Sequence, residues 1–266
     1  MTLNYSTKAL FTGSAWLNDV VVHIENNLVV GIDQKGFDAN NATPFIIPAL
    51  IDLQLYGAGG KLLSEFPEKE TIEKIYQSCL EGGTGFFQPT IASQSKAIIY
   101  ASIDAVKAYK AAGGKGCIGL HLEGPWISPQ FNGAHDPGSL RAPDHSEVKN
   151  LLDASNGKLL SVTIAPELNQ ALEIIALLKS AGVTVALGHT DADAEQTLSA
   201  INAGARVVTH FYSCMRPISH RVSTLALEAL YNKEIYLEFI LDGTHIQKKA
   251  IQLLLDVAKD RLIAVT

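Results

Sequence analysis

Gly119-Leu120-His121-Leu122-Glu123-Gly124-Pro125 is the stretch that decides the fold, because it is an apolar, strand-like run that ends on a carboxylate. Two later stretches have the same form: Gly188-His189-Thr190-Asp191-Ala192 and Thr209-His210-Phe211 each lie at the end of a strand-like run. Ionisable side chains at the ends of several apolar strands are typical of a parallel sheet with a site at its carboxyl edge.

Strand and helix patterns alternate along the chain from Phe45 onward. The strands are predicted at 45–54, 84–91, 116–123, 159–166, 183–189, 206–212, 235–241 and 261–266. The helices are predicted near 68–80, 95–112, 144–155, 169–181, 191–203, 223–232 and 246–258. Eight alternating strands predict an α/β fold, a (β/α)₈ TIM-type barrel, and an open doubly wound sheet is the alternative.

Residues 1–45 have a different pattern from the rest. Residues 14–24 and 28–32 read as two strands joined by a turn, which predicts a small β-sandwich part. The barrel is predicted over 46–266, and its eighth strand coincides with the last residues of the sequence. We therefore expect a barrel that lacks its last helix, an incomplete N-terminal unit, and poor folding of a chain that ends at Thr266.

Composition excludes several classes of partner. The chain has 266 residues, 47% of them apolar, and a net charge of −6 with no run of basic residues, so nucleic acid and anionic membranes are not expected partners. No signal peptide is evident, and no apolar run approaches the roughly 20 residues of a membrane span. Three scattered cysteines suit a reducing compartment, so we expect a cytoplasmic protein.

The three strand ends offer a candidate ligand set for one divalent metal ion: Glu123, His189 and His210. One carboxylate and two imidazoles suit zinc or iron, and three protein ligands leave a position open for water. The alternative is that each side chain is only a hydrogen-bonded residue at the end of a barrel strand. The occurrence of all three in similar contexts favours the metal site.

Further polar residues follow the predicted strands. His121 precedes Glu123 by two residues on the same face of the strand, so it either supports a ligand or is a hydrogen-bonded interior residue. His135, in the long loop that follows, could hydrogen-bond a substrate carbonyl, or be an exposed loop residue. Arg221 offers a guanidinium for a phosphate, although a solvated loop charge is favoured by spacing alone. His245 could bind an anion or polarise a substrate. Glu167 could orient a neighbouring residue or cap the next helix, and we interpret it as structural or as a support for a ligand.

These motifs, taken in their order and spacing, resemble the N-acetylglucosamine-6-phosphate deacetylase family of the amidohydrolase superfamily. The resemblance runs from the N-terminal hairpin to the last residue. It rests on Pro48-Ala49-Leu50-Ile51-Asp52-Leu53-Gln54 with Gly57-Ala58-Gly59-Gly60, Gly83-Thr84-Gly85 with Pro89-Thr90, His121-Leu122-Glu123-Gly124-Pro125, Asn132-Gly133-Ala134-His135, Ala165-Pro166-Glu167, Gly188-His189-Thr190, Thr209-His210, His220-Arg221 and Asp242-Gly243-Thr244-His245.

The resemblance implies a metal centre. Glu123, His189 and His210 match the metal ligands of the family. Many amidohydrolases have a His-x-His pair on the first barrel strand, and the resemblance aligns Asp52 and Gln54 with it. The loss of both imidazoles implies one divalent metal per subunit, with zinc the expected ion and iron or another divalent metal the alternative.

The resemblance also implies a substrate site. His135, with its neighbour Ala134, matches the residue that contacts the acetamido group of the sugar. Arg221 and His245 match residues around the phosphate, where a neighbouring subunit can take part, so a homodimer is expected. Ser213 stands where the family has an asparagine that contacts the ligand, and Gln54 is also expected to face the substrate.

The implied reaction is the metal-dependent hydrolysis of N-acetylglucosamine 6-phosphate to glucosamine 6-phosphate and acetate. The acid/base aspartate of the family would follow Thr266, so no catalytic residue of that kind is expected within the sequence. Ser213-Cys214-Met215 and Val222-Ser223 depart from the family pattern on the substrate side. The alternatives are a related amidohydrolase acting on another N-acyl sugar or cyclic amide, and a non-catalytic sugar-phosphate binder or inactive truncated product.

Overall fold

The computed structural model describes residues 2–266, which divide into two compact units. The first unit ends at Leu50 and the second runs from Ile51 to Thr266. The assignment of separate domains to 1–45 and 46–266 stays a prediction.

The first unit is a three-stranded antiparallel sheet. Its strands are β1 (Thr2–Phe11), β2 (Trp16–Glu25) and β3 (Leu28–Asp33), paired in that order. The two residues between β2 and β3, Asn26 and Asn27, both have positive φ, at 50° and 64°. Asparagine tolerates this left-handed conformation, and two such residues give the tight turn that suits a hairpin. The predicted hairpin is therefore confirmed.

The second unit alternates strands and helices. Its strands are β4 (Leu50–Leu55), β5 (Gly57–Ala58), β6 (Lys61–Leu62), β7 (Thr84–Ile91), β8 (Leu120–Glu123), β9 (Leu159–Ile164), β10 (Thr184–Leu187), β11 (Val207–Val208), β12 (Tyr236–Ile240) and β13 (Leu262–Val265). Its α-helices are α1 (Lys69–Glu81), α2 (Lys96–Ala111), α3 (His145–Ser155), α4 (Ala171–Ser180), α5 (Ala194–Ala203), α6 (Leu225–Tyr231) and α7 (Lys248–Ala258). Short 3₁₀ turns lie at Pro129–Phe131, Pro137–Ser139 and Lys259–Arg261.

Eight of these strands form the predicted barrel. They are hydrogen-bonded in the order β4-β7-β8-β9-β10-β11-β12-β13, so each neighbours the next along the chain, and β5 and β6 form a separate hairpin. The strands are parallel and make a nearly closed barrel with the helices around it. Because the carboxyl ends of all eight strands point the same way, the side chains that follow them share one end of the barrel.

Local sequence explains where several elements begin and end. The first barrel strand begins at Leu50 rather than at the predicted residue 45, and Pro48, which has no N–H to donate, precedes it. Asp144 caps α3 by accepting a hydrogen bond from the Glu147 N–H. Asp193 and Gln196 form a reciprocal capping box at the start of α5.

The core of the second unit lies between the barrel strands and the helices. Apolar residues from each strand and helix are buried there, among them Ile75 of α1, Leu120 of β8, Ile164 of β9 and Leu187 of β10. Burial of this kind is the main force that holds the helices against the sheet. In residues 2–266, no helix combines the length and the apolar character needed to cross a membrane.

Candidate metal centre and active site

The three predicted metal ligands meet at the carboxyl end of the barrel. Glu123 is the last residue of β8, and His189 and His210 each lie two residues beyond the ends of β10 and β11. Glu123 Oε1 lies 2.9 Å from His210 Nε2 and 3.3 Å from His189 Nε2, and the two imidazole Nε2 atoms are 2.9 Å apart. All three side chains are buried.

This donor set fits one divalent metal ion. The three candidate ligand atoms lie within 4.8 Å of one another. Ligands at about 2.0–2.1 Å from a tetrahedral zinc ion are separated by roughly 3.3 Å, which is close to the separations found here. The three ligand atoms all carry lone pairs, which repel one another at these distances. A cation between them would remove this repulsion.

Hydrogen bonds to His189 fix which of its ring nitrogens faces the cluster. His189 Nδ1 lies 2.8 Å from the carbonyl oxygen of Phe131, which can only accept, so Nδ1 carries the proton and donates it. When the ring is neutral, as in a metal-bound histidine, the lone pair of Nε2 is directed at Glu123 and His210. A hydrogen bond from the outer ring nitrogen to a backbone carbonyl is the usual arrangement for a metal-bound histidine.

The electrostatics of the cluster favour a positive charge. Burial works to raise the pKa of Glu123, but hydrogen bonds with His135, His189 and His210 outweigh it and hold the pKa well below its usual value. Burial likewise works to lower the pKa of His189, but contacts with Cys214 and Glu123 raise it to about 10. In the absence of a metal, a proton therefore balances the Glu123 carboxylate.

The backbone around the two histidines has an unusual conformation. His189 and His210 both have positive φ, at 49° and 29°, and so do Tyr212 and Cys214, at 81° and 50°. Non-glycine residues rarely adopt this region, and such residues cluster at functional sites. The turn at His210 also explains why β11 covers only Val207–Val208 instead of the predicted 206–212.

Gln54 of β4 and Tyr56, which directly follows β4, both contact Glu123. The Tyr56 hydroxyl donates to Glu123 Oε2 at 2.5 Å, and Gln54 Nε2 donates to Glu123 Oε1 at 3.1 Å. Asp52 instead accepts hydrogen bonds from the Thr266 hydroxyl and the Gln54 N–H. The alignment of Asp52 and Gln54 with the His-x-His pair of the family stays a prediction. Gln54 and Tyr56, two positions apart in this segment, both donate hydrogen bonds to Glu123.

Sequence reasoning missed Tyr56, although a signal for it was present. Residues i and i+2 of a strand share a face, so a side chain two positions after Gln54 is expected near the same ligands. Tyr56 was not predicted to lie there, because a tyrosine near a strand end is more often a packing residue than a polar neighbour of a metal ligand.

His135 is brought to the metal centre by the loop after β8. Its Nε2 lies 3.2 Å from Glu123 Oε2. The Ser93 N–H donates to His135 Nδ1 at 3.0 Å, so this nitrogen carries the lone pair and the proton of the neutral ring is on Nε2. His135 therefore presents a hydrogen-bond donor at the cluster. It is buried, which excludes the alternative that it is an exposed loop residue.

The loop that carries His135 is held by contacts near its C-terminal end and in its middle. Arg141 forms an ion pair with the buried Glu147 of α3, with Nη2 to Oε1 at 2.6 Å, and also donates to the Gln94 carbonyl. At the other contact, Gly133 packs so closely on Cys214 that an added Cβ would lie 2.6 Å from its sulfur. These contacts fix the position of His135.

His121 and Glu167 both hydrogen-bond to neighbouring protein groups and have structural roles. His121 hydrogen-bonds Thr163 at 2.8 Å and Thr90 at 3.3 Å inside the barrel, and burial lowers its pKa to about 4, so it is a neutral interior residue. Glu167 accepts hydrogen bonds from the Thr190 hydroxyl and from the Asp191 N–H at 2.7 Å. It therefore fixes the turn that follows His189.

The predicted phosphate residues lie on the surface of the protein. Arg221 is exposed and its Nε lies 3.2 Å from His220 Nε2. His245 is also exposed and pairs with Asp242 at 2.7 Å. The exposed Ala134 and half-buried Ser213 adjoin the cluster in sequence, beside His135 and Tyr212. The substrate roles of these residues stay predictions.

A second acidic residue, Glu238 of β12, lies inside the barrel. It is buried, and its Oε2 has no hydrogen-bond partner within residues 2–266. Burial raises its pKa to about 8, with a further contribution from the charges of Glu123 and Asp52 and an opposing hydrogen bond from Thr209. Glu238 is therefore protonated at neutral pH, and sequence reasoning did not single it out.

Comparisons with known proteins agree with this geometry. The model of the amidohydrolase family matches residues 45–258. The chain is 31% identical over 270 residues to N-acetylgalactosamine-6-phosphate deacetylase of Escherichia coli O157:H7, covering 100% of this chain and 71% of that protein. It is 29% identical over 271 residues to N-acetylglucosamine-6-phosphate deacetylase of Vibrio furnissii, covering 98% and 67%.

A solved structure gives the same result for the fold. A mutant of N-acetyl-D-glucosamine-6-phosphate deacetylase from Mycobacterium smegmatis, in complex with N-acetyl-D-glucosamine-6-phosphate, matches with a TM-score of 0.91 and 30% identity. The match covers 100% of this chain and 70% of that one. These findings confirm the resemblance to the deacetylases that the sequence motifs indicated. The chain belongs to the amidohydrolase family.

Proposed function

We propose that this protein takes part in the hydrolysis of the acetamide of an N-acetylated amino-sugar 6-phosphate, giving acetate and the free amino sugar phosphate. N-Acetylglucosamine 6-phosphate is the leading substrate. The observation that carries the proposal is the buried cluster of Glu123, His189 and His210 with the His135 Nε2 donor beside it. Similarity to deacetylases over the whole chain supports the same reaction.

Glu123, His189 and His210 would hold one divalent metal, for which zinc is our proposal. When bound, such an ion acidifies water and polarises a carbonyl, which is the chemistry that amide hydrolysis needs. The residues around the ligands keep them in place: Phe131 orients His189, and Tyr56 and Gln54 hold the Glu123 carboxylate. The segment of the first barrel strand brings an amide and a phenol to Glu123, from Gln54 and Tyr56, and this pair of groups supports a single ion.

His135 would act on the acetamido group. Its Nε2–H is fixed as a donor by the Ser93 N–H, and a fixed donor stabilises the negative charge that develops on a carbonyl oxygen during attack. Ala134 and Ser213 would line the acetamido and sugar side. The proton for the leaving amine requires an acid, for which the family resemblance points to an aspartate directly after Thr266.

Arg221 and His245 would bind the phosphate. Both are exposed and cationic or potentially cationic, which suits an anionic group that enters from solvent. We propose a homodimer in which the partner subunit's Arg221 completes the phosphate site. Three free cysteines support a cytoplasmic location.

An N-acetylgalactosamine 6-phosphate substrate is the second candidate. It is favoured by the 31% identity to the deacetylase of that sugar phosphate, which covers the whole of this chain. The two sugars differ only at one hydroxyl, and Ser213-Cys214 and Val222-Ser223 are the departures from the family pattern that would contact it.

An acetate-release assay tests the proposal. Metal-free protein is reconstituted with zinc, iron, cobalt or manganese and given each sugar phosphate, with its intact mass measured so that the assayed chain is known. We expect metal-dependent acetate release, lost by about 10²–10³-fold in His135→Asn with metal content unchanged. No turnover with any metal, together with sugar-phosphate binding by calorimetry, would instead identify a non-catalytic binder.

The same assay separates the related amidohydrolase. Turnover of an unphosphorylated N-acyl sugar or a cyclic amide, with the same rate in Arg221→Ala, would contradict the phosphorylated substrate. Faster turnover of the phosphorylated sugar than of the same sugar without phosphate would support the phosphorylated substrate, provided that Arg221→Ala abolishes the difference.

A further inference from the structure

Tyr56 makes the shortest contact that the structure gives to the Glu123 carboxylate. Its hydroxyl lies 2.5 Å from Oε2, whereas His210 and His189 lie 2.9 and 3.3 Å from Oε1. The second contact of Oε2 is His135 Nε2 at 3.2 Å. The two carboxylate oxygens therefore differ in their partners. Oε1 faces the two imidazole ligands and also accepts from Gln54 Nε2 at 3.1 Å, whereas Oε2 faces the Tyr56 hydroxyl and His135 Nε2.

The hydrogen-bond directions at Tyr56 are fixed by its neighbours. Gln54 Nε2 donates a hydrogen bond to the Tyr56 hydroxyl oxygen at 2.7 Å. The phenol therefore accepts from the amide and donates its own O–H hydrogen bond to Glu123. The Gln54 amide is oriented in turn, because its Oε1 accepts from the Thr209 hydroxyl at 2.8 Å. Thr209 directly precedes His210, which ties this chain of hydrogen bonds to a second ligand.

We propose that Tyr56 is a positioning residue that occupies Oε2 of Glu123, so that the carboxylate offers only Oε1 to the metal. This inference rests on the metal site of the proposed function. The two donors on Oε2 occupy both of its lone pairs, so Glu123 must lose at least one of these hydrogen bonds to bind an ion through two oxygens. One-oxygen binding leaves a further coordination position for water or substrate.

The test compares Tyr56→Phe with Tyr109→Phe. Tyr109 is the matched control, because its buried hydroxyl also contacts a glutamate, Glu73 Oε2 at 3.0 Å, but on the helices α1 and α2. Zinc affinity is measured by competition with a chelator, and the visible spectrum of the cobalt-loaded protein reports its coordination number. Melting of the metal-free variants shows whether each is folded.

Tyr56→Phe is expected to lower zinc affinity by about 10–100-fold and to change the cobalt spectrum towards a higher coordination number. Tyr109→Phe is expected to match the wild type in both. Unchanged zinc affinity and an unchanged cobalt spectrum in a folded Tyr56→Phe protein would overturn the proposal.

A measurement on the wild-type protein needs no variant. X-ray absorption of the zinc-loaded protein is expected to fit two imidazoles and one carboxylate oxygen at bonding distance. Two oxygens of the same carboxylate at bonding distance would overturn the proposal. Neither measurement uses substrate, so a failure of Tyr56 to position Glu123 is distinct from a failure to hydrolyse the acetamide.

Discussion

At the scale of single residues, two histidines at the cluster have the position of their ring proton set by a backbone group. The Phe131 carbonyl places the proton of His189 on Nδ1, and the Ser93 N–H places the proton of His135 on Nε2. One imidazole is thereby a ligand and the other a donor, although the residue type is the same. The chemical role of a histidine here depends on which backbone group it meets.

Glu238 gives a prediction about pH and stability. Its pKa is about 8 in the folded protein against a usual value of 4.5, so folding requires the carboxyl to keep a proton between these values. Stability is therefore expected to fall as pH rises from about 4.5 to 8, by up to ~1.4 kcal/mol per pH unit. Glu238→Gln, a neutral isostere, removes this loss.

Melting temperatures from pH 5 to pH 9, in chelator-treated protein, check this prediction. The wild type and Glu238→Gln are expected to melt close together near pH 5, and the variant is expected to melt higher at pH 8 and above. A constant difference across the range would mean that Glu238 does not titrate as its burial implies.

At the scale of elements, one loop brings His135 to Glu123 and the two other candidate ligands. The segment between β8 and α3 carries His135, and Gly133 in this segment packs on Cys214 and His189. Gly133 has a φ of 57°, a conformation that favours glycine, and an added Cβ would lie 2.6 Å from the Cys214 sulfur and 3.3 Å from His189 Cε1. The loop and the ligand turn therefore depend on each other.

Gly133→Ala is expected to destabilise the fold by about 1–2 kcal/mol and to weaken metal binding by about tenfold, because the new methyl displaces Cys214 and His189. Gly138→Ala in the same loop is the control, since its φ is not left-handed and the nearest atom to its Cβ is a side-chain oxygen at 3.3 Å. Denaturant unfolding and zinc competition give the two quantities. Equal zinc affinities in the two variants would contradict the coupling of loop and ligand.

At the scale of the whole molecule, side chains from distant parts of the sequence lie together at the carboxyl end of the barrel. The pattern of apolar runs was sufficient to predict the eight strands and the seven helices, because strand and helix periods are local signals. The polar residues at the strand ends were sufficient to predict that Glu123, His189 and His210 lie together. The contacts of Tyr56 and Glu238 could not be predicted in the same way. They depend on which strands become neighbours and on how closely their side chains approach.

The proposed phosphate site gives a prediction about the oligomeric state of the protein. If a neighbouring subunit supplies Arg221, the protein should be a dimer by light scattering. Arg221→Ala should then raise KM for the phosphorylated sugar by about 10-fold or more while metal content stays the same. A monomer with wild-type KM in Arg221→Ala would contradict the dimeric phosphate site.

The metal content of the protein tests the central claim most directly. After reconstitution with zinc and removal of free metal, elemental analysis is expected to find one ion per chain in the wild type. It is expected to find almost none in His210→Ala, which removes one ligand, and one in Tyr109→Phe. A wild type that retains no metal, or a His210→Ala protein that still retains one ion per chain, would contradict a metal centre at Glu123, His189 and His210.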